Sequence, residues 1–350
     1  MTIKQLKQIV ILTAALFPIL VIAQNQTSSP YSFLGLGDLN QQGNVRTFGM
    51  GGTNMAVRSN MYINFNNPAS YTGIDSLSFV AGVGVQSTVA TYRTNEQSSR
   101  LSNTSVSHLS FAFPITHWWK SSIGLLPYSS VGYEVLENKL LDFNVMSQNT
   151  YSGSGGLDKV TWGNAFQITK ELSIGINSSY YFGRVENRQT VLFPDSIYIV
   201  NARLTERDLI SGLHFAVGAQ YFLPTGKNSF LGFAAKFSPL ALLNVKTDFL
   251  STTFRGAIGS ESAVDTISSW RGVDNSIDLP YAYGFGVSWE KKNKLLVAAD
   301  LMFDNWSSFN YGGQQDYLTN KMKASFGMEF IPENCPPSSS FNIKLNRASY

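Results

Sequence analysis

The sequence predicts an all-β fold, a transmembrane antiparallel β-barrel, and three observations carry that prediction. Between Ser105 and Phe330, runs with every second side chain apolar follow one another along the chain; each is ~10 residues long, the length of a tilted membrane strand. The breaks between runs alternate between short and long, as periplasmic turns and outer loops do. The composition is 13% aromatic but only 14% charged, with 29 glycines. A soluble domain carries about 25% charged residues, so this chain has too few charges to wet a whole surface.

Met1–Ala23 stands apart from the fold. Lys4 and Lys7 precede an apolar stretch, Ile9 to Ile22, broken only by Thr13 and Pro18, and Val21-Ile22-Ala23 offers a cleavage site before Gln24. This is the pattern of a secretory signal peptide, too short for a membrane anchor. Residues 24–75 carry no strand ladder. They hold Gly35, Gly37, Gly43, Gly49, Gly51 and Gly52, then an aromatic, Asn-rich run from Met61 to Tyr71. About 50 residues are too many for a linker, and a solvated tail has no use for aromatic residues around the rigid Asn67-Pro68 turn. A segment folded back into the barrel lumen is expected.

Residues 76–350 are expected to form the wall. In 106–113, Leu109, Phe111 and Phe113 alternate with His108, Ser110 and Ala112. In 159–168, Val160, Trp162, Phe166 and Ile168 oppose Thr161, Gly163, Ala165 and Gln167. The same parity runs through 172–183, 209–222, 279–289, 295–303 and 322–330, and 76–90, 121–133 and 230–245 complete the set. A one-residue slip reverses both faces, so the register is specified. A soluble sandwich also alternates, but its wet face carries Lys, Glu and Thr. Here the polar face is mostly Gly, Ser and Ala, and aromatic residues such as Trp118, Trp119, Tyr221 and Trp289 gather beside the turns, as in membrane-interface girdles.

Short connections are expected at 114–120, 169–171, 224–228, 291–293 and 332–339, and long outer loops at 92–104, 134–157, 186–207, 247–277 and 305–320. The count reaches about ten strands, and 341–350 begins an eleventh, to within one or two strands. Bacterial single-chain barrels have even counts. An incomplete C-terminus, or an open seam between the first and last strands, is therefore expected. Cys335, in Pro332-Glu333-Asn334-Cys335-Pro336-Pro337, reads as a loop thiol.

Phe48-Gly49-Met50-Gly51-Gly52, then Ala56, then Asn64-Phe65-Asn66-Asn67-Pro68-Ala69-Ser70 resembles the N-terminal signature of the FadL-type long-chain fatty acid outer-membrane transporters. With Tyr31-Ser32 and Gly35-Leu36-Gly37-Asp38 in front, it is similar to the Bacteroidetes members. The local match covers roughly Tyr31–Asp75. The resemblance implies a barrel of about fourteen strands, an even count, with an N-terminal hatch in its lumen. It implies passive uptake of long-chain fatty acids or other hydrophobic compounds across the outer membrane of a Gram-negative bacterium. Asn67, Pro68 and Ala69 match the hatch motif. The implied partners are outer-membrane lipid and one hydrophobic ligand, for a monomeric chain without cofactors. A FadL-like barrel serving type IX secretion or outer-membrane assembly is the alternative.

The lumen face offers few ionisable groups: His108, His214, Lys236, Asp300, Lys321, Lys323 and Glu329. Most are expected to rigidify the wall or hold the plug. Lys236, Lys323 and His214 are the candidates to meet a fatty-acid carboxylate, one charge-assisted bond orienting the head group while an apolar pocket takes the tail. No Gly-x-Ser-x-Gly elbow or His-Glu-x-x-His spacing occurs, so neither catalysis nor a metal site is expected. A net charge of +3 is too small for a nucleic-acid partner.

Overall fold

The computed structural model describes residues 27–93, 98–141, 144–194, 198–315 and 318–332. The signal peptide, Cys335 and the expected eleventh strand at 341–350 lie outside these residues. Among the described residues, one antiparallel sheet gathers fifteen strands. Three are two-residue pieces, Asp38–Leu39, Asn310–Tyr311 and Gln314–Gln315. The others build the wall: β1 (Val80–Arg93), β2 (Ser98–Pro114), β3 (Trp119–Leu140), β4 (Met146–Gln167), β5 (Leu172–Leu192), β6 (Asn201–Gly226), β7 (Ser229–Ser238), β8 (Ala241–Arg255), β9 (Ser262–Leu279), β10 (Ala282–Lys291), β11 (Leu295–Asp304) and β12 (Lys321–Phe330). No helix among them is long and apolar enough to cross a membrane.

The predicted parity holds through most of the wall. Leu109, Phe111, Trp162, Ile174, Phe215, Phe285 and Phe326 all point away from the chain and stay exposed. Their neighbours Ala112, Thr161, Ser173, Asn177, Gln220 and Asp300 are buried on the inner face. An apolar outer face and a small, polar inner face mark a barrel whose outside is solvated by lipid.

Two expectations need correction. The first is the set of long outer loops. Residues 92–104, 134–157, 186–207 and 247–277 are mostly strand: β1 and β2 pair out to Arg93 and Ser98, β3 and β4 pair out to Leu140 and Met146, β5 reaches Leu192, and β9 fills Ser262–Leu279. Beyond the lipid both faces of a hairpin meet water, so the apolar alternation fades while the backbone ladder continues. Sequence periodicity is blind to such strands. The loop at 305–320 does remain a loop.

The second correction concerns 230–245, which is two strands. β7 pairs with the C-terminal half of β6 and with β10; β8 pairs with the N-terminal half of β6 and with β9. β7 and β8 therefore stand end to end as one broken strand, as do β10 and β9. The breaks fall at Pro239-Leu240 and Pro280-Tyr281, which lie opposite each other: Ser238 faces Ala282, and Ala241 faces Leu279. Proline has no N–H for the ladder. The pairing with β6 slips by one residue across the break, from Val217 opposite Phe237 to Ser211 opposite Asn244. The faces reverse there. Phe233 and Phe237 point outward, whereas Leu243, Val245, Ile277 and Leu279 are buried inside.

That reversal makes the inner face apolar towards the end with the longer hairpins. Leu243, Val245, Ile277 and Leu279 pack there with Leu36, Val131, Leu157 and Tyr181. The 305–320 loop folds back onto them. Trp306–Ser308 form a single 3-10 turn, Phe309 is fully buried, and Asn310–Tyr311 pair with Ile277 and Asp278 of β9. Along the sheet, β1 pairs with β2 and β12 with β11, and no pairing joins β1 to β12 among the described residues. Among the described residues the sheet thus has an edge at β1 and another at β12.

Candidate functional site

Residues 27–75 lie against the inner face. Asp38–Leu39 pair with Ser129 and Ser130 of β3. The short helix α1 (Val45–Gly49) follows, capped by the Asn44 side chain, which accepts from the Thr47 N–H. Its Arg46 pairs with Glu329 of β12 and donates to the Tyr62 hydroxyl at 2.9 Å. Burial alone lowers the affinity of Arg46 for its proton, but Tyr62 and Glu329 together raise it above the ordinary value.

The stretch from Thr53 to Arg58 is held by the wall through its backbone. Asp300 of β11 accepts from the N–H groups of Asn54 and Met55 at 2.6 and 2.9 Å. Gln220 donates to the Met55 carbonyl at 2.7 Å, and Ser288 to the Ala56 carbonyl at 2.7 Å. An irregular segment inside a barrel has no ladder for these groups, so wall side chains satisfy them. Arg58 donates to Gln220 at 2.9 Å and to Ser173, and lies 4.3 Å from the Phe222 ring centre. Burial pulls its guanidinium down to about 10, still charged at neutral pH. The sequence analysis passed over Arg58, since its position follows no strand periodicity.

Asn67, Pro68 and Ala69 sit at the wall with no more than a trace of exposure at Asn67 and Ala69. Asn67 is extended, as a residue before proline should be, and its side chain accepts from the Ala69 N–H at 3.1 Å. Its amide donates to the Met55 carbonyl at 3.0 Å and the Ala219 carbonyl at 3.4 Å. Pro68 opens the 3-10 turn Pro68–Gly73, where a missing N–H costs nothing. The turn can approach this closely because Gly175 and Gly218 face it; a Cβ on Gly175 would lie 2.5 Å from the Pro68 carbonyl carbon. Tyr71, fully buried, donates to Asn177 at 2.8 Å, and Asn177 donates to the Phe65 carbonyl at 3.0 Å.

Between this segment and the apolar cluster lies a cavity of about 210 Å³. Lys236, Lys323 and His214 all line it, so the three candidates from separate strands share one space. Phe65, Asn66 and the stretch from Leu39 to Gln42 border it on one side, and Leu279 and Trp306 on the other. Of the remaining sequence candidates, His108 faces a separate small space beside Asn64 and Asn66. Lys321 lines the main cavity and pairs with Asp304 at 3.4 Å.

The structure adds Lys159, which shares the inward parity of Thr161. As the first residue of a predicted strand it was not counted as lumen-facing. Its ammonium lies 5.8 Å from the ring centres of both Tyr128 and Tyr181, and Tyr181 packs edge-on against His214 at 5.7 Å. Rings hold a cation by their faces without neutralising it. Lys159, Lys236 and Lys323 make no hydrogen bond or ion pair with another described residue. The cavity thus combines more lysines than carboxylates with an apolar border, a combination suited to an amphipathic anion.

A family model described as BamG matches residues 5–350. No curated protein sequence matches the chain. A crystal structure of the P. putida toluene transporter TodX is similar with TM-score 0.51 at 14% identity, over 81% of this chain and 78% of that one. A second crystal structure of the Pseudomonas putida toluene transporter TodX gives 0.51 at 14% identity, over 89% and 82%. A Pseudomonas aeruginosa FadL homologue aligns at 12% identity with TM-score 0.49, over 84% and 78%. At such identities the TodX likeness speaks for the barrel architecture alone.

Proposed function

The chain belongs to the BamG family, and from that premise we propose that it is an outer-membrane channel for passive entry of hydrophobic compounds, long-chain fatty acids among them, gated by residues 24–75 acting as a hatch. The TodX structures that share this architecture are of a toluene transporter. The observation that carries the reading is the cavity itself. Lys236, Lys323 and His214 meet there above Phe65 and Asn66, with Leu279, Met302 and Trp306 on the apolar side. A carboxylate takes the cations, and its chain lies along the apolar border. Confinement strengthens the charge-assisted bond.

Lys236→Met combined with His214→Ala is expected to weaken binding of a long-chain fatty acid by about tenfold or more, the equivalent of one hydrogen bond to a charged group. Titration of the purified protein in a neutral detergent measures it. Unchanged affinity removes these residues from the site. Uptake is tested in cells: deletion is expected to slow fatty-acid entry. If entry is unaffected while secreted or outer-membrane proteins accumulate in the periplasm, the secretion or assembly role replaces the transport reading.

Gating rests on the Asn67 turn. Asn67→Ala with Pro68→Ala removes three side-chain hydrogen bonds to the backbone and frees a backbone torsion. Uptake is expected to change while the barrel keeps its heat-modifiable mobility on gels. Wild-type uptake in this variant excludes the turn as a gate.

A further inference from the structure

Charge balance in the cavity says more about its occupant than the carboxylate reading does. Four ammonium groups line it, those of Lys159, Lys236, Lys321 and Lys323, with His214 beside them. Asp304 is the one carboxylate among the lining residues, and it is engaged by Lys321. Among the described residues Lys159, Lys236 and Lys323 form no ion pair; Asp304 attracts Lys236 and Lys323 from a distance and Asp300 attracts Lys323, so the lysines still outnumber the carboxylates. Lys159 and Lys236 repel each other, and both repel His214.

Confined cations that outnumber their carboxylates are costly, and that cost is relieved when an anion enters. A monocarboxylate brings one negative charge and two oxygens. A phosphate monoester brings close to two charges and three strong acceptor oxygens. The lining also supplies amide and hydroxyl groups, from Asn40, Gln41, Gln42 and Ser238, which suit the extra oxygen. The lysines come from β4, β7 and β12, so they surround the space from several sides of the wall. That arrangement fits a compact multi-oxygen anion better than a flat carboxylate, which an arginine fork would hold.

We infer that the cavity's preferred occupant carries a phosphate-class dianion, held by Lys159, Lys236 and Lys323, on an apolar chain that lies against Leu279, Met302 and Trp306. This deepens the channel reading and rests on it, narrowing the ligand from hydrophobic compounds at large to phosphorylated amphiphiles.

The test is titration of the intact protein in a neutral maltoside detergent with dodecyl phosphate, laurate and dodecanol. Dodecyl phosphate is expected to bind at least tenfold more tightly than laurate at pH 8. Dodecyl phosphate is expected to weaken at pH 5 relative to dodecanol, whose charge does not change, because the second phosphate proton titrates near pH 6. Lys159→Met with Lys236→Met is expected to weaken dodecyl phosphate far more than dodecanol. Inorganic phosphate as a competitor identifies the source. Strong competition upholds the dianion as free phosphate, and weak competition upholds it as a lipid-like head group. Laurate binding as tightly as dodecyl phosphate at pH 8 overturns this inference and leaves the fatty-acid reading standing. So does dodecyl phosphate binding that, relative to dodecanol, does not change between pH 8 and pH 5. Failure of both amphiphiles to bind overturns the channel reading as well.

Discussion

Valine at position 175 is expected to push the Asn67–Ala69 turn off the wall and raise the ion conductance of the barrel several-fold. The added Cβ would lie 2.5 Å from the Pro68 carbonyl carbon, 2.6 Å from the Ala69 nitrogen and 2.7 Å from the Pro68 oxygen. Contacts below 3.0 Å do not occur for real Cβ atoms, and these partners are backbone, which cannot rotate away as a side chain can. Overpacking usually costs about 1–3 kcal/mol. Here it falls on a turn whose hold is a handful of hydrogen bonds, while β5 keeps its full ladder with β4 and β6. The turn therefore yields before the wall does. Gly218→Val adds to the effect, since its Cβ would overlap the Asn67 side-chain oxygen. Gly49→Ala is the control, because nothing lies within 4 Å of its Cβ position. Single-channel recording in planar bilayers measures the outcome, with heat-modifiable mobility reporting on the barrel. Wild-type conductance in the valine variant, with the barrel folded, means that this turn does not obstruct the lumen.

Asp300→Ala is expected to loosen the segment from Thr53 to Arg58 without unfolding the barrel. Asp300 is 5% exposed, and one of its oxygens accepts from two consecutive backbone N–H groups, those of Asn54 and Met55. Its removal leaves both donors buried and unpaired, at about 1–3 kcal/mol each. Local opening at Asn54 and Met55 becomes correspondingly more frequent. Their amide hydrogen exchange is expected to accelerate at least tenfold, and protease cleavage near Arg58 to appear. Asp300→Asn keeps the one oxygen position that both N–H groups use and loses the charge, so an intermediate rate is expected. Unaltered exchange in the alanine variant assigns the grip on this segment to Gln220 and Ser288 instead.

Much of the wall was legible from residues because lipid imposes a strict two-residue period. Leu109 to Phe113, Val160 to Trp162 and Tyr283 to Trp289 announce both strand and facing. Where water touches both faces that constraint is lifted, so β9 and the outer parts of β3 to β6 passed as loops. The breaks at Pro239 and Pro280 were passed over, because 230–245 and 279–289 read as unbroken strands. Their consequence was not legible either, because whether a strand resumes with its faces kept or reversed depends on the partner's register. The site was half legible. Inward parity pointed to Lys236, Lys323 and His214 and extends to Lys159, but the edge-on pair of Tyr128 and Tyr181 beside Lys159 does not follow from parity.

The sequence by itself determined the class of fold, the strand positions at membrane height, the outward faces and the unusual glycine-rich, Asn-Pro-Ala start. Each follows from a local rule: a two-residue period, a turn residue, a missing side chain. Tertiary structure alone decided which inward groups meet. Asp300 is far along the chain from Asn54, yet the curl of the sheet makes it an acceptor for two of that segment's amides. The same curl gathers lysines from separate strands into one space, while the one-residue slip at Pro239 turns Leu243 and Leu279 in beside them. Register and curvature are properties of the whole sheet, and no single stretch of chain contains them.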